Sequence, residues 1–210
     1  MRQFELTVAS AILPRMTTAP AAPAFRRPTE EDAVLLARET FLADERVDLN
    51  TLAGRLGVSR ATLHRWVHTR EHLLDQVLGR LAGEFLADGL TQAREQPDDA
   101  VPALTRAIVG ATSGSAPLRG FVAREPELAL RLLLGDGEVR RAGVAQVQAL
   151  VDEAYPGESE QLGGFSETVV DMVLALEWAT IAAGHEPSAD RIAQITRALL
   201  AGARAGQLPA

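Results

Sequence analysis

The 210-residue sequence predicts an all-α protein. Three observations carry that prediction. Apolar residues recur at helical spacing through nearly every segment past residue 27. Ser, Thr and Asp stand just ahead of those segments, where their oxygens accept orphan first-turn amides. No alternating strand pattern, glycine-rich phosphate loop or repeat competes.

Residues 1–27 read as a disordered tail, Pro- and Ala-rich after Met16, which is a candidate start. Residues 3–13 are mildly apolar, but Glu5 interrupts them and no clear small-residue cleavage site follows, so they do not read as a signal peptide. Pro28-Thr29-Glu30-Glu31-Asp32 marks a first helix, with Thr29 as N-cap and acids in the first turn. Val34, Leu35, Ala37, Phe41 and Leu42 give it an apolar face. Asp48 caps a short helix through Leu49, Leu52, Ala53 and Leu56, which Gly57 ends. Ser59 caps another short helix, and Thr69 caps a long one beginning "TREHLLDQVLGRLAGEFLADGL". Beyond Gln96-Pro97, amphipathic segments follow at about 98–112, 117–124, 126–134 and 137–154. The last two helices fall at 166–184, Ala-rich and apolar on more than one face, and at 188–205.

Charge is unevenly placed. All 21 basic residues are arginine, and the net charge is −7. The chain as a whole is therefore no polyanion binder. Residues 91–210 hold 10 Arg against 16 acids, whereas no acid lies between Leu49 and Arg70. There Arg55, Arg60, Arg65 and Arg70 recur, a basic island of the kind that meets phosphate. A plain solvated face is the alternative, favoured for Arg55. No cysteine is present, which removes disulfides, thiol catalysis and Cys-based zinc sites, and fits a reducing, cytoplasmic setting. No run reaches the ~18 apolar residues of a bilayer span, so no membrane partner is expected.

The two short helices meet at Gly57-Val58, and Gly57 accepts the left-handed turn. This is the layout of a helix-turn-helix, whose second helix lies in the major groove. Leu52, Leu56, Val58, Leu63 and Val67 form the inward set. Arg60, Ala61, Thr62, His64 and Arg65 then face the groove and flanking backbone. Arg pairs bidentately with guanine, Thr meets a thymine methyl or a phosphate, and Ala permits close approach. Trp66 stands on the border, between core packing and groove-edge contact. Arg26-Arg27 read as basic tail or minor-groove arm. The spacing of His64, His68 and His72 suggests a metal site, but His68 falls in an inter-helix link and no acid or Cys completes a set, so neither metal nor cofactor is expected.

"LNTLAGRLGVSRATLHRWVHTREHLLDQV" resembles the N-terminal domain of the TetR family of bacterial transcriptional repressors. The likeness covers about residues 29–80, through Leu52-Ala53, Gly57-Val58-Ser59, Thr62-Leu63 and the charged-then-Leu-Leu start of the fourth helix. It departs at His64, where the family usually has Tyr, at Trp66, often His, and at Arg70, usually Lys. The resemblance implies phosphate contact for Arg70, at a helix start whose amides would help. It also implies a homodimer and a variable helical C-terminal domain that binds a small effector. The expected division is a tail (1–27), a helix-turn-helix domain (28–75) and an effector-binding and dimerisation domain (76–210). The "RPTEEDAV" start is similar, more narrowly, to the QsdR-type branch, linked to quorum-signal lactone degradation.

Within the second domain, Phe85, Phe121, Arg124, Phe165 and Trp178 are the candidate effector-pocket residues, with core packing the alternative for each. Arg119 and Arg124 would need an anionic or carbonyl partner if buried. Ala175, Ala179 and Ala182, with Ile192, Ile195 and Leu199, are the candidate dimer face, the alanines allowing close helix packing. The expected function is a ligand-responsive repressor, released from a near-palindromic DNA operator by a small effector. Few aromatics (4%) and an aliphatic second domain favour a lipophilic acyl compound or a lactone. An activator or constitutive DNA-binding factor is the alternative. An enzyme is not expected, since one Tyr, four His and no Cys leave no evident nucleophile–base set.

Overall fold

A computed structural model describes residues 26–158 and 162–206. The expectation of a disordered tail falls almost wholly outside them. The described residues form helices α1 (Glu30–Leu42), α2 (Leu49–Leu56), α3 (Arg60–Val67), α4 (Arg70–Arg94), α5 (Ala100–Gly114), α6 (Ala116–Arg124), α7 (Pro126–Leu134), α8 (Glu138–Ala154), α9 (Phe165–Ala182) and α10 (Ala189–Arg204). No strand occurs among them. A single 3₁₀ turn, Pro97–Asp99, leads into α5.

The caps explain where helices begin. Thr29 forms a reciprocal capping box with Asp32, and the Thr29 amide donates to Asp32 Oδ2 at 2.7 Å. Asp48, Ser59, Thr69 and Ser188 each accept the amide three residues on. Proline opens α6 and α7, at Pro117 and Pro126, where its missing N–H costs nothing. Gly57, at φ 67°, stops α2 and sets the turn into α3.

Helices α1–α3 pack as a head on the start of α4, closed by Val34, Phe41, Leu52, Leu63, Val67 and Leu74. That core runs on into α6, α7 and Trp178 of α9. Phe41 meets Phe121 edge-on, with ring centroids 5.5 Å apart. A second core joins the end of α4 to α5, α8, α9 and α10. Helix α4 belongs to both, packing on α1, α5, α7 and α8 along its 25 residues.

Candidate functional site

Helical phase divides α3 cleanly. Leu63 and Val67, four apart, are 1% and 0% exposed and anchor the helix to the head. Arg60, Ala61, His64 and Arg65 are exposed on the other side. Thr62 is half-buried; its amide donates to Ser59 Oγ at 3.1 Å, and the two hydroxyls lie 2.9 Å apart. Trp66 is half-buried and packs against the head core. Among the described residues, Arg60 and Arg65 make no ion pair or side-chain hydrogen bond, whereas Arg55 donates to Thr40 Oγ1 at 3.0 Å. Two uncommitted guanidiniums on one exposed helix face suit phosphate and base-edge acceptors.

His64 is partly committed. Its Nδ1 lies 3.0 Å from the carbonyl of His68, where an Nδ1–H donates. A neutral ring so fixed leaves Nε2 an acceptor; only the protonated ring offers an anion a second N–H. His68 itself caps α3 at φ 54°, ψ −77°, a conformation costly to a residue with a Cβ. That strained residue makes the tight link from α3 to α4.

Arg70 stands apart from this surface. Its Nε donates to the Val47 carbonyl at 2.5 Å. Its two terminal nitrogens donate to Glu125, at 2.7 and 2.6 Å. Glu125 lies between α6 and α7, and Arg46 adds a longer contact at 3.6 Å. The Arg70 guanidinium, foremost by its hydrogen bonds, holds the Glu125 carboxyl below the usual carboxylate range. Arg70, expected at phosphate, is thus bound in this conformation to a carboxylate of the second half of the chain. Nearby Arg124 pairs with Asp44 at 2.8 Å, a second bridge between α6 and the head.

The second half encloses a cavity of about 90 Å³. Helix α4 contributes Leu81 and Phe85, α5 Ile108 and Thr112, and α6 and α7 Leu118 and Leu133. Helices α8 and α9 complete it with Val147, Val173, Glu177 and Trp178, among others. Two of the five pocket residues expected from sequence, Phe85 and Trp178, line it. The other three do not line it. Phe121 is taken by its contact with Phe41, Arg124 by Asp44, and Phe165, at the start of α9, packs in the second core. Neither Arg119 nor Arg124 is buried; Arg119 donates to the Ser113 carbonyl at 3.0 Å.

Glu177 was not singled out from sequence. It is 1% exposed, the one ionisable residue of the cavity lining, and hydrogen-bonded to Thr112 Oγ1. Thr112 Oγ1 also lies 2.7 Å from the Ile108 carbonyl, so its single hydroxyl proton serves either that carbonyl or Glu177. Burial pushes the Glu177 carboxyl up to about 8, against the opposing pull of Thr112, so it is mainly neutral near pH 7. The available signal was a lone acid inside the apolar run "VLALEWATIAA". Beside it, Trp178 Nε1 is buried with no hydrogen-bond partner.

On α9, Ala175, Ala179 and Ala182 are exposed, flanked by Leu176 at 38% exposure. Ile192, expected on the dimer face, is buried within the protomer. It is 5% exposed, because α10 packs chiefly on α5 and turns Ile192, Ala193, Thr196 and Leu200 inward. Ile195 and Leu199 are half-buried. Among the described residues no cluster of three potential metal ligands occurs, and no helix is long and apolar enough to cross a membrane.

Comparison with known proteins places this architecture. The family described as "Tetracyclin repressor-like, C-terminal domain" matches residues 96–201. The fold is similar to the solved structure of the R. erythropolis transcriptional repressor QsdR from the TetR family, with a TM-score of 0.71 and 24% sequence identity, over 82% of this chain and 94% of that one. No curated protein matches the chain. Half the chain matches that family's C-terminal domain, and a helix-turn-helix precedes it: the protein belongs to the TetR family of transcriptional regulators.

Proposed function

We propose that this regulator is a ligand-released repressor that binds a near-palindromic DNA operator as a homodimer. One observation carries the reading. Helix α4 begins at the reading head with Arg70 and supplies Leu78, Leu81, Ala82, Phe85 and Leu86 to the cavity wall. Anything that fills the cavity bears on the same rigid helix that positions α3.

Two α3 helices would enter successive major grooves about 34–36 Å apart. Arg60 and Arg65 would read or grip the DNA, with Ala61, Thr62 and His64 beside them and Trp66 at the groove edge. Arg70 would hold the head to α6 and α7 through Glu125 and reach phosphate only on leaving that partner. The exposed alanine face of α9, with Ile195 and Leu199 of α10, would meet the second copy. A lipophilic acyl compound or lactone would occupy the cavity. It releases DNA only if it binds the released arrangement more tightly than the DNA-bound one. Gel shifts with the DNA upstream of its own and neighbouring genes test the reading. A retarded band dispersed by a cavity ligand is expected; no band at low salt with any such fragment would sink it.

A further inference from the structure

Resting on the reading of the cavity as an effector site, we propose a chemical class for its ligand. The ligand is an uncharged aliphatic carbonyl compound, on the order of six to nine non-hydrogen atoms, and Glu177 is the residue that selects it.

The wall sets the body of the ligand. Apart from Thr105, Thr112, Glu177 and Trp178, it offers only hydrocarbon, from Leu, Val, Ile, Ala, Gly and Phe. A cavity of about 90 Å³ holds on the order of six to nine water-sized groups. A body with more than one polar group would leave some of them without partners.

Glu177 sets the head. A carboxyl 1% exposed in a hydrocarbon wall is costly, and Thr112 supplies only one partner. Among the described residues, no cation stands opposite it. The arginines on the surrounding helices all turn to other partners: Arg80 to Glu31, Arg106 to Asp190, Arg119 to the Ser113 carbonyl, Arg124 to Asp44, Arg131 to Glu71, and Arg140 to Asp171. Arg141 pairs with Glu138. Glu177 is therefore held as the neutral acid, a hydrogen-bond donor. Trp178 Nε1, buried and unpartnered one residue on, is a second donor. A carbonyl oxygen accepts two hydrogen bonds and carries no charge to desolvate. A carboxylate ligand would meet no positive charge here. An ammonium ligand would require Glu177 to ionise and both charges to leave water, a desolvation cost that one ion pair rarely repays.

Isothermal titration calorimetry of the full-length protein tests this with three probes of matched size: 2-heptanone, heptylamine and hexanoate. At pH 7, 2-heptanone is expected to bind at least tenfold more tightly than either ion. Its affinity should be level below pH 7 and fall toward tenfold per pH unit above about 8, as the Glu177 proton is lost. Glu177→Leu should weaken 2-heptanone about tenfold and flatten the pH profile. Glu177→Gln, which keeps a donor, should restore most of the affinity while the profile stays flat. An ion that binds as tightly as the ketone, no binding of any probe, or a flat wild-type profile from pH 6 to 9.5 overturns the proposal. The wild-type profile decides the matter should either variant fail to fold. The two readings fail separately. Ketone binding with this profile but an unchanged gel shift overturns the regulatory reading alone. A gel shift dispersed only by a charged ligand overturns the ligand class alone.

Discussion

Arg70 and Glu125, 55 residues apart, close a two-bonded ion pair between the first turn of α4 and the α6–α7 junction. Both side chains are about one-fifth exposed, so water screens the pair less than it would a surface pair. Because Arg70 also holds the Val47 carbonyl, one side chain ties the α1–α2 link, the start of α4 and the second half of the chain together.

Glu125→Gln should therefore destabilise the protein by about 1–2 kcal/mol at pH 7, between the worth of exposed and buried pairs. Glu125 is held below its ordinary value of 4.5, so its contribution is fully present above that value. It is lost as the pH falls through the lowered folded value. Urea unfolding at pH 7 and at pH 3 checks both parts: the variant's deficit should shrink in acid.

Arg65→Ala should relax base preference, at a cost of about 1–3 kcal/mol in discrimination if the guanidinium reads a base edge. Arg60→Ala should behave alike if it also reads bases, or weaken all sequences evenly if it grips phosphate. Competition gel shifts with operator variants over a range of salt separate these. A preference unchanged in Arg65→Ala removes that residue from readout.

Glu177 should make the protein less stable as the pH rises. Its folded value, about 8, lies above the ordinary 4.5, so between those values the unfolded chain gives up a proton that the folded one keeps. Stability is then highest below pH 4.5 as far as this group acts, falls through the window to about 8, and levels above it. The total loss is on the order of 3–5 kcal/mol. Glu177→Gln should remove that slope and be the more stable form at pH 8, as thermal melts across pH 5–9 would register.

Gly79 on α4 lies where a Cβ would overlap the Cβ of Glu138 at the start of α8. The clash is with an atom fixed to the backbone, so the helices themselves must part. Gly79→Ala should cost about 1–3 kcal/mol despite the better helix propensity of alanine. Chemical denaturation measures it; a stabilised variant would mean that α4 and α8 separate freely.

The helices and the phase of α3 were legible in the order of the residues alone. Caps and prolines act through neighbouring amides, so Thr29, Asp48, Ser59, Thr69 and Ser188 could be read as helix starts. Leu63 and Val67, four residues apart, were enough to send Arg60, His64 and Arg65 outward. Partners distant in the chain were settled by packing in three dimensions. It brought Glu125 to Arg70, Asp44 to Arg124 and Phe41 to Phe121, and so committed residues that periodicity alone left free. It turned Ile192 inward, because α10 leans on α5. It also made Glu177 distinctive: periodicity places an acid on a helix face, but only the surrounding helices decide whether that face meets water or hydrocarbon, and hence whether the carboxyl keeps its proton.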